Sequence, residues 1–217
     1  MFAALKALLT RPSSAPSGAT SISYPSFPSV PVGTLNVPMT VGAGNVLVSG
    51  TTLQEGVRAS GSSTQLDSAA VLPDVMATNK FSVTVTVGAL SSAATNRAVG
   101  AGCFSADGTK GVYITCAAQS ASVQIRSYVG GTITAQGTAA AITANSAATI
   151  TLQPSVSGGV VTWTVLINGV ATACTWTDSS HVVDLPGTHP AACFRHNYSG
   201  GNFPSRGISA LSAAVIP

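Results

Sequence analysis

Six side chains in this chain of 217 residues carry carboxylates: Glu55, Asp67, Asp74, Asp107, Asp178 and Asp184. Hydrolysis of a glycosidic bond needs two of them flanking that bond, about 5–10 Å apart. A strand offers such a pair most simply as D-x-E or E-x-D, and neither occurs. The single glutamate lies in Gln54-Glu55-Gly56, beside an expected turn. Asp107 precedes Gly108 and reads as a turn former rather than an acid. Only convergence of remote aspartates is left to such an enzyme. Nucleophilic catalysis has still less support, because there is no G-x-S-x-G elbow. His181, His189 and His196 are candidate bases, but neither H-x-H nor H-x-x-H is present to hold zinc. The sequence therefore reads as a non-enzyme with no cofactor and no metal.

Cys103, Cys116, Cys174 and Cys193 form no C-x-x-C pair. Three disulfide connectivities are open to four cysteines. Each lies in an apolar strand pattern, where a free thiol serves as a small buried hydrophobe. One other cluster has the chemistry of recognition. Trp176, Arg195, His196, Asn197 and Tyr198 combine aromatic faces with planar donors, the groups that stack on sugar rings and hydrogen-bond their hydroxyls. The alternative is that Trp176 and Tyr198 are half-buried at strand ends, with the N–H and O–H reaching backbone. Trp163, between Val161 and Val165, reads as core.

The elements that must position these groups are strands. Residues 80–87 alternate without error, with Phe81, Val83, Val85 and Val87 on one side and Ser82, Thr84 and Thr86 on the other. Similar patterns cover 112–116, 122–129, 148–152 and 161–167. Asn168-Gly169 then marks a hairpin. Asp107-Gly108, Gly130-Gly131 and Gly158-Gly159 mark further turns. No helix is expected beyond residue 32, and many short strands between turns argue a sandwich or barrel.

Residues 1–31 differ. Phe2, Leu5, Leu8 and Leu9 fall on one face of a short helix that Pro12 ends. Lys6 interrupts the apolar stretch and no basic n-region precedes it, so a signal peptide is not expected. A helix this short needs a surface to lie on. The segment 11–31 is rich in Ser and Pro and reads as an extended arm, with Tyr24 and Phe27 as its large anchors. The expected organisation is an anchoring helix and arm over 1–31 and a sandwich over 32–217.

Hydrophobic residues make up 45% of the chain and charged ones 7%, so Ser, Thr, Asn and Gly must cover its surface. Nine Lys and Arg spread without a run exclude a nucleic-acid binder. No apolar stretch approaches the roughly 18 residues of a spanning helix.

In order, the strand at 81–87, the small-residue strand at 97–104 before Ser105-Ala106-Asp107-Gly108, Gly111-Val112-Tyr113-Ile114, residues 123–128, Val165-Leu166-Ile167-Asn168-Gly169-Val170, Trp176-Thr177-Asp178-Ser179-Ser180 and a closing strand at 208–216 resemble a concanavalin-A-like (laminin-G-like) jelly roll. The order resembles domains of minor tail proteins of phages infecting actinobacteria. The E-x-D-x-x-E strand of the glucanase branch is missing, and the calcium-held loops of the lectin branch have no residue-by-residue match. The resemblance implies an all-β jelly-roll sandwich displayed on a virion, on the tail rather than the capsid, and assembled in the host cytoplasm. The arm would dock on other virion proteins and the sandwich would face a host cell-wall glycan. A homo-oligomer is expected, a trimer being in keeping with a tail appendage. Capsid decoration and a carbohydrate-binding module without a virion role are the alternatives.

Overall fold

The computed structural model describes residues 18–24, 33–35, 39–41, 46–49, 52–55, 66–72, 74–87, 98–117, 121–143, 149–196 and 208–217. Every regular element among them is a strand. In chain order they are β1 Ser21–Tyr24, β2 Gly33–Leu35, β3 Met39–Val41, β4 Val46–Ser49, β5 Thr52–Glu55, β6 Leu66–Val71, β7 Phe81–Val87 and β8 Ala98–Phe104. There follow β9 Lys110–Ala117, β10 Ser122–Val129, β11 Thr132–Ala141, β12 Thr149–Ser157, β13 Val160–Ile167, β14 Val170–Thr177, β15 His189–His196 and β16 Ile208–Val215.

They form two antiparallel sheets. One runs β14-β13-β12-β7-β16-β5-β4-β2, with β1 also paired to β16; the other runs β11-β10-β9-β8-β15-β6-β3. The chain crosses repeatedly between them, giving the jelly-roll sandwich expected from the sequence. The core between the sheets takes alternate residues of each strand: Phe81, Val83 and Val85 from β7, Ile150 and Leu152 from β12, Val161, Trp163 and Val165 from β13, and Val112, Ile114 and Cys116 from β9. Trp163 is 0% exposed, as its place in the strand pattern required. Each such side chain contributes about 2 kcal/mol by leaving water.

The outer faces of the two sheets differ. Across the first sheet, β7 alternates buried and half-buried residues, and its outward threonines bond laterally, Thr84 to Thr151 at 2.8 Å. Thr162 and Thr177 do the same at 3.0 Å. This is a solvated hydroxyl surface. In the second sheet every residue of β8 is buried, and so are Gly111 to Cys116 of β9. Its outer face is therefore covered by side chains of its own.

Turns follow the residues that mark them. Asn168 and Gly169 have φ of 51° and 79°, the left-handed pair of a tight hairpin. Asp107 accepts from Ser105 Oγ at 2.6 Å and from the Thr109 amide at 3.0 Å, and these bonds lower its pKa to about 2. Asp178 is 1% exposed and accepts the amides of Val182, Val183 and Asp184 at 2.7–2.8 Å, folding the 178–188 loop around one carboxylate. None of the four cysteines is in a disulfide, and all are buried. Burial is the main cause raising the thiols of Cys103, Cys174 and Cys193, Cys103 and Cys193 well above the ordinary range.

One expectation needs correction. Residues 21–24, read as part of an extended arm, are a strand paired with β16, Ser21 opposite Ala214 and Tyr24 opposite Leu211. Ile22 is 6% exposed within the core, and the Ala19 amide bonds Val75 O at 2.8 Å. Ser21-Ile22-Ser23-Tyr24 is a two-period strand pattern too short to stand out between prolines. The expected helix with Phe2, Leu5, Leu8 and Leu9 lies outside the described residues, as does Phe27. Replacing Asp178 with Ala strands three amides and should lower stability by about 3 kcal/mol in urea unfolding. A loss under 0.5 kcal/mol would show that the carboxylate does not hold this loop.

Candidate functional site

Strands β6, β8, β9, β10 and β15 place a charged cluster on the outer face of the seven-stranded sheet. Register decides its first contact. Arg195 stands directly opposite Asp67 across the β15–β6 pair, both facing outward. Its guanidinium donates to both carboxylate oxygens, Nε to Oδ1 at 2.5 Å and Nη2 to Oδ2 at 2.6 Å. This is the two-pronged geometry in which arginine grips a carboxylate best. The Tyr113 hydroxyl of β9 donates to the same Oδ2 at 2.5 Å. Burial, then the adjacent carboxylate, pushes the Tyr113 phenol far up, so it stays protonated and acts as a donor.

Tyr113 and Asp67 lie three strand intervals apart and four residues out of register, about 19 Å along the diagonal of a flat sheet. Two side chains of this length meet over that span only if the sheet curls toward them. The outer face is thus concave along that diagonal. The strand beneath, β8, presents Ala98, Gly100 and Gly102 on this side, which leaves room for the phenol to cross. A Cβ at Gly102 would fall 2.8 Å from the Tyr113 Cβ and 2.7 Å from Cys193 Sγ. A Cβ at Gly111 would enter the Phe104 ring at 2.2 Å. Phe104, Tyr113, Ala69, Ala191 and Cys193 make a second small core here, with Val71 and Tyr128 packed on it. Phe104 stacks on Tyr113 with centroids 6.2 Å apart and meets Tyr128 at 6.5 Å.

Arg126 of β10 pairs in register with Tyr113, and Tyr128 follows two residues along on the same face. The Arg126 Nε donates to Thr115 Oγ1 at 3.2 Å and lies 3.9 Å from Asp67 Oδ2. Burial, and next the positive charge of Arg195, lower the Arg126 pKa. The side chains of Arg126 and Arg195 are 18% and 12% exposed, against 4% for Asp67. A carboxylate thus sits at the bottom, with two guanidiniums and the half-buried Tyr128 above it.

The residues expected from the sequence fare unequally. Arg195 is in this cluster. Trp176 is opposite Trp163 in the β13–β14 pair, 9% exposed and part of the core between the sheets, so it offers no ring to a ligand. Its place in the inward register of β14 outweighs its position near a strand end. His196 ends β15 opposite Leu66; Asn197 and Tyr198 lie outside the described residues. Tyr24, expected to anchor the chain to an assembly, donates its hydroxyl to Asp74 within the chain. His189 Nδ1 is 3.0 Å from Leu72 O, and His181 Nδ1 is 2.8 Å from Asp184 on an exposed loop. Among the described residues no group of three His, Cys, Asp or Glu could hold a metal.

Sequence reasoning missed Asp67, Tyr113, Arg126 and Tyr128. The signal was present: a carboxylate in Leu66-Asp67-Ser68-Ala69-Ala70-Val71 and an arginine in Cys193-Phe194-Arg195, each a lone charge on an apolar strand. Charges in such places are held by partners.

No protein-family model matches the chain, and no curated protein matches it. Solved structures similar to it include a carbohydrate-binding module from Bacillus subtilis, 12% identical, covering 87% of this chain and 96% of that one, with a TM-score of 0.46. A beta-glucanase from Bacillus licheniformis is 11% identical over 92% and 99%, with a TM-score of 0.47. A lectin from Bauhinia forficata in complex with GalNAc is 17% identical over 89% and 96%, with a TM-score of 0.44.

Asp67→Asn leaves two guanidiniums facing each other and should cost about 3–5 kcal/mol. The double variant Asp67→Leu/Arg195→Met should cost clearly less than the sum of its single changes in urea unfolding. Additivity within about 0.5 kcal/mol would show that the pair does not organise this face.

Proposed function

We propose that the chain is a non-catalytic, glycan-binding β-sandwich of a bacteriophage virion, a minor tail protein that holds a host cell-surface glycan on the concave face of its seven-stranded sheet. The observation that carries the binding reading is the grouping of Arg126, Arg195 and Tyr128 on that face, the planar donors and aromatic ring that hydroxyl-rich ligands need. They stand on a bed in which Phe104 and Tyr113 pack over Ala69, Gly102, Ala191 and Cys193.

The non-catalytic reading rests on chemistry. Asp67 has both oxygens bound within the chain, by Arg195 and Tyr113, and is 5% exposed, so it does not face a substrate. Glycoside hydrolysis also needs a second carboxylate, and among the described residues none joins this hydrogen-bonded cluster. The virion reading is supported by the motif order and by a surface of hydroxyls with 7% charged residues.

Wild-type protein should sediment with purified actinobacterial cell wall and release no sugar from it. Tyr128→Ala should weaken that binding about tenfold while leaving unfolding within about 1 kcal/mol of wild type. Absence of binding to wall glycan, or release of oligosaccharide, would overturn the reading. Mass spectrometry of virions should find the chain at tail copy number; hundreds of copies would move it to the capsid.

A further inference from the structure

We infer that this face selects an acidic glycan, and that Arg126 receives the anionic group, a carboxylate or a phosphate carried on a saccharide. The inference rests on the glycan-binding reading above and names the ligand class of the same site.

The argument begins with a charge count. Among the described residues, two guanidiniums and one carboxylate share the cluster, which leaves one positive charge over. The carboxylate belongs to Arg195, whose two bonds of 2.5 and 2.6 Å use both oxygens. Its Oδ2 also accepts from Tyr113 at 2.5 Å. Arg126 comes no nearer than 3.9 Å to that oxygen, and its Nε proton is directed to Thr115. Among the described residues no acceptor meets its two terminal nitrogens. The surplus charge is therefore on Arg126.

That charge is costly where it lies. The side chain is 18% exposed, and its 3.9 Å ion pair with a carboxylate already gripped by Arg195 only partly offsets the hydration it has lost. The lowering of its pKa by burial and by Arg195 follows from the same geometry. An arriving anion relieves both causes, adding to the attraction of Asp67. The guanidinium fork fits the paired oxygens of a carboxylate or phosphate, which a neutral hydroxyl cannot match. Thr115, 5% exposed, fixes Nε and so orients the fork. Tyr128, two residues along β10 and packed toward Phe104, places a ring beside it for the apolar face of the same sugar.

The charge cannot be attributed to a general basic surface. The remaining cations are dispersed along the chain, and Lys110, on the neighbouring strand, is exposed at its start.

Calorimetry on the full chain in 0.15 M salt would compare three probes: oligogalacturonate for the carboxylate, a poly(glycerol phosphate) for the phosphate, and a neutral galactan. At least one acidic probe should bind about tenfold tighter than the galactan. Arg126→Gln should remove that preference, so that this variant binds acidic and neutral probes alike; Arg126→Lys, which keeps charge and loses the fork, should retain only part of it. Lys110→Gln should change nothing. Equal binding of all three probes, or an acidic preference that survives Arg126→Gln or falls with Lys110→Gln, would overturn the inference while the glycan-binding reading stands. No binding of any probe or of wall glycan would overturn the reading itself. Should Arg126→Gln fail to fold, Arg126→Lys decides the matter, since an undiminished preference in that variant excludes the fork.

Discussion

One buried carboxylate organises the second sheet. Asp67 sits in a strand whose other outward residues are apolar, and an isolated charge there would be expelled or neutralised. It is kept because the register of β15 sets Arg195 directly across from it, and because Tyr113 reaches over β8 to the same oxygen. Three strands that are not all neighbours are thus tied at one point. Gly102, where a Cβ would meet Tyr113, and the orientation of Arg195 both serve that tie.

The two outer faces show what the tie does. The first sheet presents ordinary alternation, with threonine hydroxyls linked sideways and open to water. The second sheet is buried on both sides through β8 and much of β9, yet no third layer of strands covers it among the described residues. Aromatic side chains lie flat on glycine and alanine instead, and the charged cluster is set into them. A rigid apolar bed around a few polar groups holds their geometry better than solvated side chains could. Here both oxygens of the carboxylate are taken up by Arg195 and Tyr113.

Much of the architecture was legible in the sequence, because period-2 patterns such as Phe81-Ser82-Val83-Thr84-Val85 admit one reading. The Asn168-Gly169 hairpin and the Asp107-Gly108 turn came from local backbone chemistry and needed no tertiary information. What was illegible depended on register. Trp176 at a strand end and Trp176 in the core have the same sequence neighbours; only its pairing with Trp163 decides between them. Ser21–Tyr24 was hidden because four residues between prolines carry too little pattern, although Ile22 enters the core. The site was hidden for the same reason. Asp67 and Arg195 are 128 residues apart and meet through sheet order alone. Arg126 and Tyr128 could be assigned one face of β10, but not the face that lacks a covering sheet.

The central claim is that the concave face around Asp67 is where a glycan is held. Side-chain-resolved NMR during titration with cell-wall oligosaccharide tests it directly. The account predicts shifts at the Arg126 Nε–H, the Tyr128 ring and the Tyr113 ring, with the threonines of β7 and the 178–188 loop unmoved. Shifts confined to that loop or to the β7 face, with the Arg126 and Tyr128 signals unchanged at saturation, would contradict it.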